Sequence, residues 1–271
     1  MHDPIEHLGA RTNHVFDIDD CLFSRKTGLH HAIKHRIVDH FNALTQKAPH
    51  IHDDFTEIVK HLGRDKDFDM HNVQISDLEA AFLPIVTALK WNYQGADFFS
   101  QLDAFYDVDY SVIEPDIALV DAFDNARSQG MQVYIYTNGA SHPHAGNDLH
   151  KQRVLQGLGF DQEWIEYLRP RTQDLLASEF MGNGKPYKSS FAQMLNRFGL
   201  DPRDTAFYDD TVPNIVTASQ FGVMPVWPWL TDEPAPQNLE AMAQSINAIK
   251  TNNTARTFQS AIDLHTPKAA L

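Results

Sequence analysis

The stretch His14-Val15-Phe16-Asp17-Ile18-Asp19-Asp20-Cys21-Leu22 passes directly from an apolar run into a cluster of acids. A short β-branched and aromatic run of this kind reads as a buried strand, predicted here over residues 14–18. Residues 132–137, 205–209 and 223–227 read the same way, with a weaker candidate at 165–168. Helical patterns separate most of these runs, which points to an α/β class. The expected fold is a Rossmann-like parallel sheet with helices on both faces. In such sheets ligands gather beyond the carboxyl ends of the strands, so the acids after the first strand stand where chemistry is expected.

More than a hundred residues separate the first strand from the second, too many for one crossover connection. Leu29, Ile33, Ile37, Phe41 and Leu44 form one apolar stripe at helical spacing, Phe55, Val59 and Leu62 a second, and Leu78, Phe82, Val86 and Leu89 a third. The segment therefore reads as an all-helical cap inserted over the active-site edge. The expected division is a core of residues 1–22 and 111–250, a cap of residues 23–110, and a flexible tail of residues 251–271. Pro115 marks a helix start where the chain returns to the core, and a final helix is predicted over residues 239–249. The tail is polar, and its apolar residues show no evident period.

The chain of 271 residues carries 36 acidic and 22 basic side chains, a formal net charge of −14. With 42% apolar residues it has the composition of a globular protein and not of a disordered one. The acidic balance argues against binding a nucleic-acid polymer, whose backbone is gripped by clustered Lys and Arg. Cys21 is the single cysteine, so no intrachain disulfide forms and a reducing compartment is expected. No apolar run approaches a membrane-spanning length, and the first residues lack the pattern of a secretion signal. A cytoplasmic protein without a membrane partner is the expectation, with its oligomeric state open.

Four motifs carry chemistry. Asp17 and Asp19, two positions apart where a strand becomes a loop, can reach one site, Asp17 as a nucleophile and Asp19 as a proton shuttle. Thr137-Asn138-Gly139 at the next strand end can offer a hydroxyl and backbone N–H groups to a phosphoryl oxygen. Lys185, followed by Pro186 at the expected first position of a helix, would bring a fixed ammonium. Asp209 and Asp210 end another strand and suit a hard cation such as Mg²⁺. Each has a plain structural alternative: an acidic turn, an ordinary Asn-Gly turn, a solvated lysine, a capped helix entrance. The fifteen histidines, including His142-Pro143-His144, match no zinc spacing and read as solvated side chains.

Taken in order, Asp-x-Asp, Thr, Lys and Asp-Asp resemble the haloacid-dehalogenase (HAD) superfamily of phosphohydrolases. Within it FDIDDCLF, LHHAIKHRIVDHF, EPD, YTNGA, GKP and FYDDTVPNI are similar to the pyrimidine 5′-nucleotidase group, across residues 15–227. The resemblance implies that Asp17 becomes an aspartyl phosphate, while Asp19 protonates the leaving alcohol and then activates water. It implies Mg²⁺ on the Asp17 carboxylate, the Asp19 backbone carbonyl and Asp210, with Asp209 a ligand or an outer partner. Thr137 and Lys185 would hold the phosphoryl group, with Asn138 supporting the loop. Many superfamily members carry Thr at the position of Cys21, which reads here as a packing residue. A halide leaves unprotonated, so the second acid favours a phosphatase over a dehalogenase. The implied substrate is a small phosphorylated metabolite, a pyrimidine nucleoside 5′-monophosphate first. The alternatives are a phosphatase for another ester, such as a sugar phosphate, or a HAD scaffold that binds without turnover.

Overall fold

The computed structural model describes residues 4–29, 32–33, 35–36, 39, 43, 106–141, 147–176 and 184–265. The three predicted stripes of residues 29–89 and the polar run Trp91-Asn92-Tyr93-Gln94 fall largely or wholly outside them. The described strands are β1 (Asn13–Phe16), β2 (Gln132–Ser141), β3 (Thr172–Leu176), β4 (Thr205–Tyr208), β5 (Met224–Pro228) and β6 (Ile249–Thr251). The helices are α1 (Pro4–Gly9), α2 (Ile117–Ser128), α3 (Asn147–Gly157), α4 (Gln162–Leu168), α5 (Lys188–Phe198), α6 (Val212–Gln220), α7 (Gln237–Ser245) and α8 (Thr254–Asp263). The strands form one six-stranded sheet in the order β3-β2-β1-β4-β5-β6, every pair parallel. None of the described helices is long and apolar enough to cross a membrane.

Alternation along the strands divides the core in two. Phe16, Ile135 and Tyr208 face α1, α2, α3, α4 and α8, where Leu8, Phe123, Val154, Trp164 and Phe258 cover them. Val15, Tyr136, Phe207 and Trp227 face α5, α6 and α7, under Phe191, Met194, Ile215 and Ala243. Burial on both faces explains why these strands are nearly continuous in apolar residues. The sequence of connections reverses between β1 and β4, and in open α/β sheets the crevice at that switch point is the ligand site.

Three expectations are corrected. Residues 165–168 are the end of α4: Trp164, Ile165 and Leu168 share a helical face, and the Asp161 carboxylate caps the helix by accepting from the Trp164 N–H at 2.9 Å. The strand in that region is β3, a few residues later. The final predicted helix stops at Ser245, and residues 249–251 form the edge strand β6. The flexible tail is folded through residue 265: Ala255, Phe258, Ala261 and Ile262 line one buried face of α8. Asn253 caps α8 by accepting from the Arg256 N–H at 2.7 Å. Helix starts also move by a residue or two: Asp116 caps α2 after Pro115, and α5 begins at Lys188, beyond a cis Lys185–Pro186 bond.

Candidate active site

The register of the central strands fixes where the motif residues fall. Phe16 pairs with Ile135 on one side and Tyr208 on the other, so Asp17 and Asp209 both leave the sheet at its carboxyl edge. The ladder extends one residue further, with the Asp17 N–H donating to the Tyr208 carbonyl at 2.9 Å and the Asp209 N–H to Val226 at 3.2 Å. After Asp17 the chain turns tightly. Asp20 adopts φ 57°, a left-handed conformation Asp tolerates better than most residues, and the Leu22 N–H donates to the Ile18 carbonyl at 3.0 Å.

Lys185 joins three adjacent strands, β2, β1 and β4. Its Nζ donates to Asp17 Oδ1 at 2.7 Å, to Asp209 Oδ2 at 2.6 Å and to the Tyr136 carbonyl at 2.9 Å. An ammonium has three donors, and these bonds use them all. Burial would strip its proton, but Asp17 and Asp209 outweigh burial and hold the pKa above its ordinary value. Asp209 is fully buried, and both its oxygens are already engaged. Oδ1 accepts from the Thr211 N–H and from Asn214 Nδ2, each at 2.9 Å; Oδ2 accepts from Lys185 and from Asn214 at 3.1 Å.

The site carries more negative than positive charge. Burial, with the neighbouring Asp209 and Asp19, pushes the Asp17 carboxyl up to about 7 against the pull of Lys185. Asp17, Asp209 and Asp210 can each offer an oxygen within 4.8 Å of the others. An all-oxygen, anionic donor set of this kind fits a hard divalent cation. Trp227 Nε1 donates to the Asp210 carbonyl at 2.9 Å and steadies that loop from β5.

The structure thus brings Asp17, Lys185, Asp209 and Asp210 together. Thr137 is buried in β2 beside Tyr136, whose carbonyl anchors Lys185. Asn138 follows it in β2, and its side chain lies outside the described residues. Asp19 sits on the loop after β1, with its Oδ1 3.5 Å from His150 Nε2. Cys21 is a buried loop residue: its thiol donates to the Tyr208 carbonyl at 3.4 Å, and burial with the neighbouring acids holds it well above its usual pKa. Sequence reasoning missed His150 and Trp227. The reading of the histidines as solvated fails at His14 and His150, both buried. The helical spacing of His150 with the apolar Val154 and Leu158 was the available signal.

The sequence model of the haloacid dehalogenase-like hydrolases matches residues 14–222. No curated protein matches the chain. Among solved structures, it is similar to a 2-haloacid dehalogenase from Pseudomonas syringae pv. Tomato, at 17% identity over 92% of this chain and 97% of that one, with a TM-score of 0.50. A HAD family hydrolase from Deinococcus radiodurans, solved with bound phosphate and sodium, is 15% identical over 96% of this chain and 100% of that one, with a TM-score of 0.49.

Proposed function

The chain belongs to the haloacid dehalogenase-like hydrolases, and we propose that within this family it is a Mg²⁺-dependent phosphomonoesterase acting through an aspartyl phosphate. The observation that carries this reading is the pairing of Asp17, buried and bonded to Lys185, with a second acid, Asp19, on the same loop. A carboxylate nucleophile alone suffices to displace a halide; an alkoxide needs a proton, and Asp19 supplies it.

In the first half of the reaction an Asp17 oxygen attacks phosphorus, the bond from phosphorus to the leaving oxygen breaks, and Asp19 gives its proton to that oxygen. In the second half Asp19 takes a proton from water as the water oxygen attacks the aspartyl phosphate, and phosphate departs from Asp17. Lys185 holds the attacking carboxylate in one orientation. With its donors already committed to protein oxygens, it acts on the phosphoryl group chiefly through its charge. The Asp17 and Asp210 carboxylates and the Asp19 carbonyl would hold Mg²⁺, and Asp209, its oxygens taken by Lys185, Thr211 and Asn214, is assigned as their outer partner. A cation held there would supply positive charge against the phosphoryl oxygens in the transition state. The substrate assigned first is a pyrimidine nucleoside 5′-monophosphate, on the sequence resemblance around Asp17 and across residues 29–41.

The test is phosphate release with Mg²⁺ from UMP, CMP, TMP, AMP, GMP and several sugar phosphates, with Asp17→Asn as the blank. The expected result is preference for the pyrimidine nucleotides and no turnover in Asp17→Asn, whose fold stays intact because the change is nearly isosteric. Sugar-selective or broad release would keep the chemistry and discard the nucleotide. Release equal to the blank would leave a binding scaffold.

A further inference from the structure

We infer that His150 is a positioning residue for the Asp19 carboxyl group, oriented in its turn by the hydroxyl of Tyr110. The inference rests on the proton-transfer role given to Asp19 above and deepens it.

The His150 side chain, on α3, is 8% exposed, and its Nε2 is aimed at Asp19 Oδ1 at 3.5 Å. That nitrogen makes no hydrogen bond among the described residues. The other, Nδ1, lies 2.7 Å from the Tyr110 hydroxyl. In the arrangement inferred here the Tyr110 hydroxyl is the donor to Nδ1, across that 2.7 Å contact. A neutral imidazole that accepts at Nδ1 carries its hydrogen on Nε2, the atom that faces Asp19.

The ring has little freedom to turn away. Tyr106 lies against it with centroids 4.6 Å apart, and Tyr110 packs at 5.6 Å. Arg153, on the same helix, donates to the Tyr106 carbonyl at 3.2 Å and sets its guanidinium over the Tyr110 ring. The chain returning to the core is therefore clasped by α3, and the clasp sets the imidazole. A donor trained on Asp19 Oδ1 holds the carboxyl group in one orientation toward the leaving group. It also stabilises the carboxylate that remains once the proton has gone. At 3.5 Å the contact is longer than an ordinary hydrogen bond, as is common at catalytic groups before substrate binds.

The test compares full-length wild type with His150→Leu, His150→Gln, Tyr110→Phe and Asp19→Asn in the presence of Mg²⁺. The substrates are 4-nitrophenyl phosphate and phenyl phosphate, nearly the same in shape but with leaving groups of different basicity. His150→Leu should lose about ten- to a hundredfold in kcat on phenyl phosphate, only a few-fold on the nitrophenyl ester, and little in KM. His150→Gln, which keeps a donor, should recover part of the loss. Adding His150→Leu to Asp19→Asn should cost nothing further. Equal losses on the two esters, or full additivity with Asp19→Asn, would overturn the inference. If His150→Leu folds poorly, Tyr110→Phe, which removes one oxygen and keeps the ring, decides: an unchanged ratio between the esters counts against the assignment. If Asp19→Asn depends on the leaving group while the His150 and Tyr110 variants do not, the inference alone falls. If Asp19→Asn loses equally on both esters, the acid role of Asp19 falls and takes the inference with it.

Discussion

At the scale of single residues, the site balances one buried ammonium against two buried carboxylates. Removing one partner of a buried ion pair costs about 3–5 kcal/mol, because the charges left behind have no solvent to turn to. Lys185→Met, measured by urea unfolding in EDTA, should therefore lose stability in that range as well as activity. A loss below 1 kcal/mol would mean that Asp17 and Asp209 tolerate each other without it. His14 and Asp17 pull the pH dependence in opposite directions: on acidification from pH 7 Asp17, its carboxyl raised to about 7, favours the folded state, while His14 disfavours it. Its Nε2–H donates to the Arg11 carbonyl, its Nδ1 accepts from the Tyr208 hydroxyl at 3.1 Å, and burial drops its pKa from 6.5 to about 3. Below pH 6.5 the unfolded chain takes up a proton there that the native protein refuses until about pH 3. Stability should accordingly fall by about 1.4 kcal/mol per pH unit on acidification from this group alone. On acidification from pH 7 to pH 5 the unfolding free energy should fall more, or rise less, in wild type than in His14→Gln, and an identical slope in the two would remove His14 from the account. The motif acids were legible because an apolar run ending in Asp is a local pattern. The roles of His150 and Trp227 come from contacts with Asp19 and Asp210 far away in the chain, and no local pattern carries those.

At the scale of elements, α8 shows how a helix can be missed in a polar sequence. Its apolar residues are few, but Ala255, Phe258, Ala261 and Ile262 return to one face, which closes over β1 and α2. Phe258 packs against His14, Phe16 and Phe123, with centroids 4.7, 5.1 and 5.6 Å away. Phe258→Ala should lower the unfolding free energy by about 3–5 kcal/mol, whereas Leu264→Ala, at a half-exposed position, should change it little. Similar small effects at both positions in a denaturant titration would show α8 to be loosely attached. The strand β3 was hidden for the opposite reason. Thr172-Gln173-Asp174-Leu175-Leu176 is an edge strand with polar residues, while its neighbour α4 holds the apolar run that a strand would be expected to show. Central strands β1, β2, β4 and β5, covered on both faces, were all legible to within a few residues.

At the scale of the whole molecule, the site lies where the two halves of the sheet part. A cation held by Asp17 and Asp210 would tie the ends of β1 and β4 together, and a ligand that binds only the folded state raises its stability. At a hundred times its dissociation constant, Mg²⁺ should add about 2.7 kcal/mol, a rise in melting temperature on the order of 5–10 °C for a domain of this size. Asp210→Asn should largely abolish the shift in a thermal melt, and an equal shift in that variant would place the ion elsewhere. The bond from Thr254 Oγ1 to the Cys21 carbonyl, at 2.7 Å, has a further consequence in the order of synthesis. The ribosome delivers the nucleophile's loop early and the residue that pins it more than two hundred residues later. A nascent chain halted before α8 holds every motif acid, yet the loop bearing Asp17 lacks the Thr254 anchor and Phe16 lacks the part of its cover that Phe258 supplies. Competence thus arrives only once α8 has been made, and chains cut short before it by translation stalling are left with motifs but no set active site.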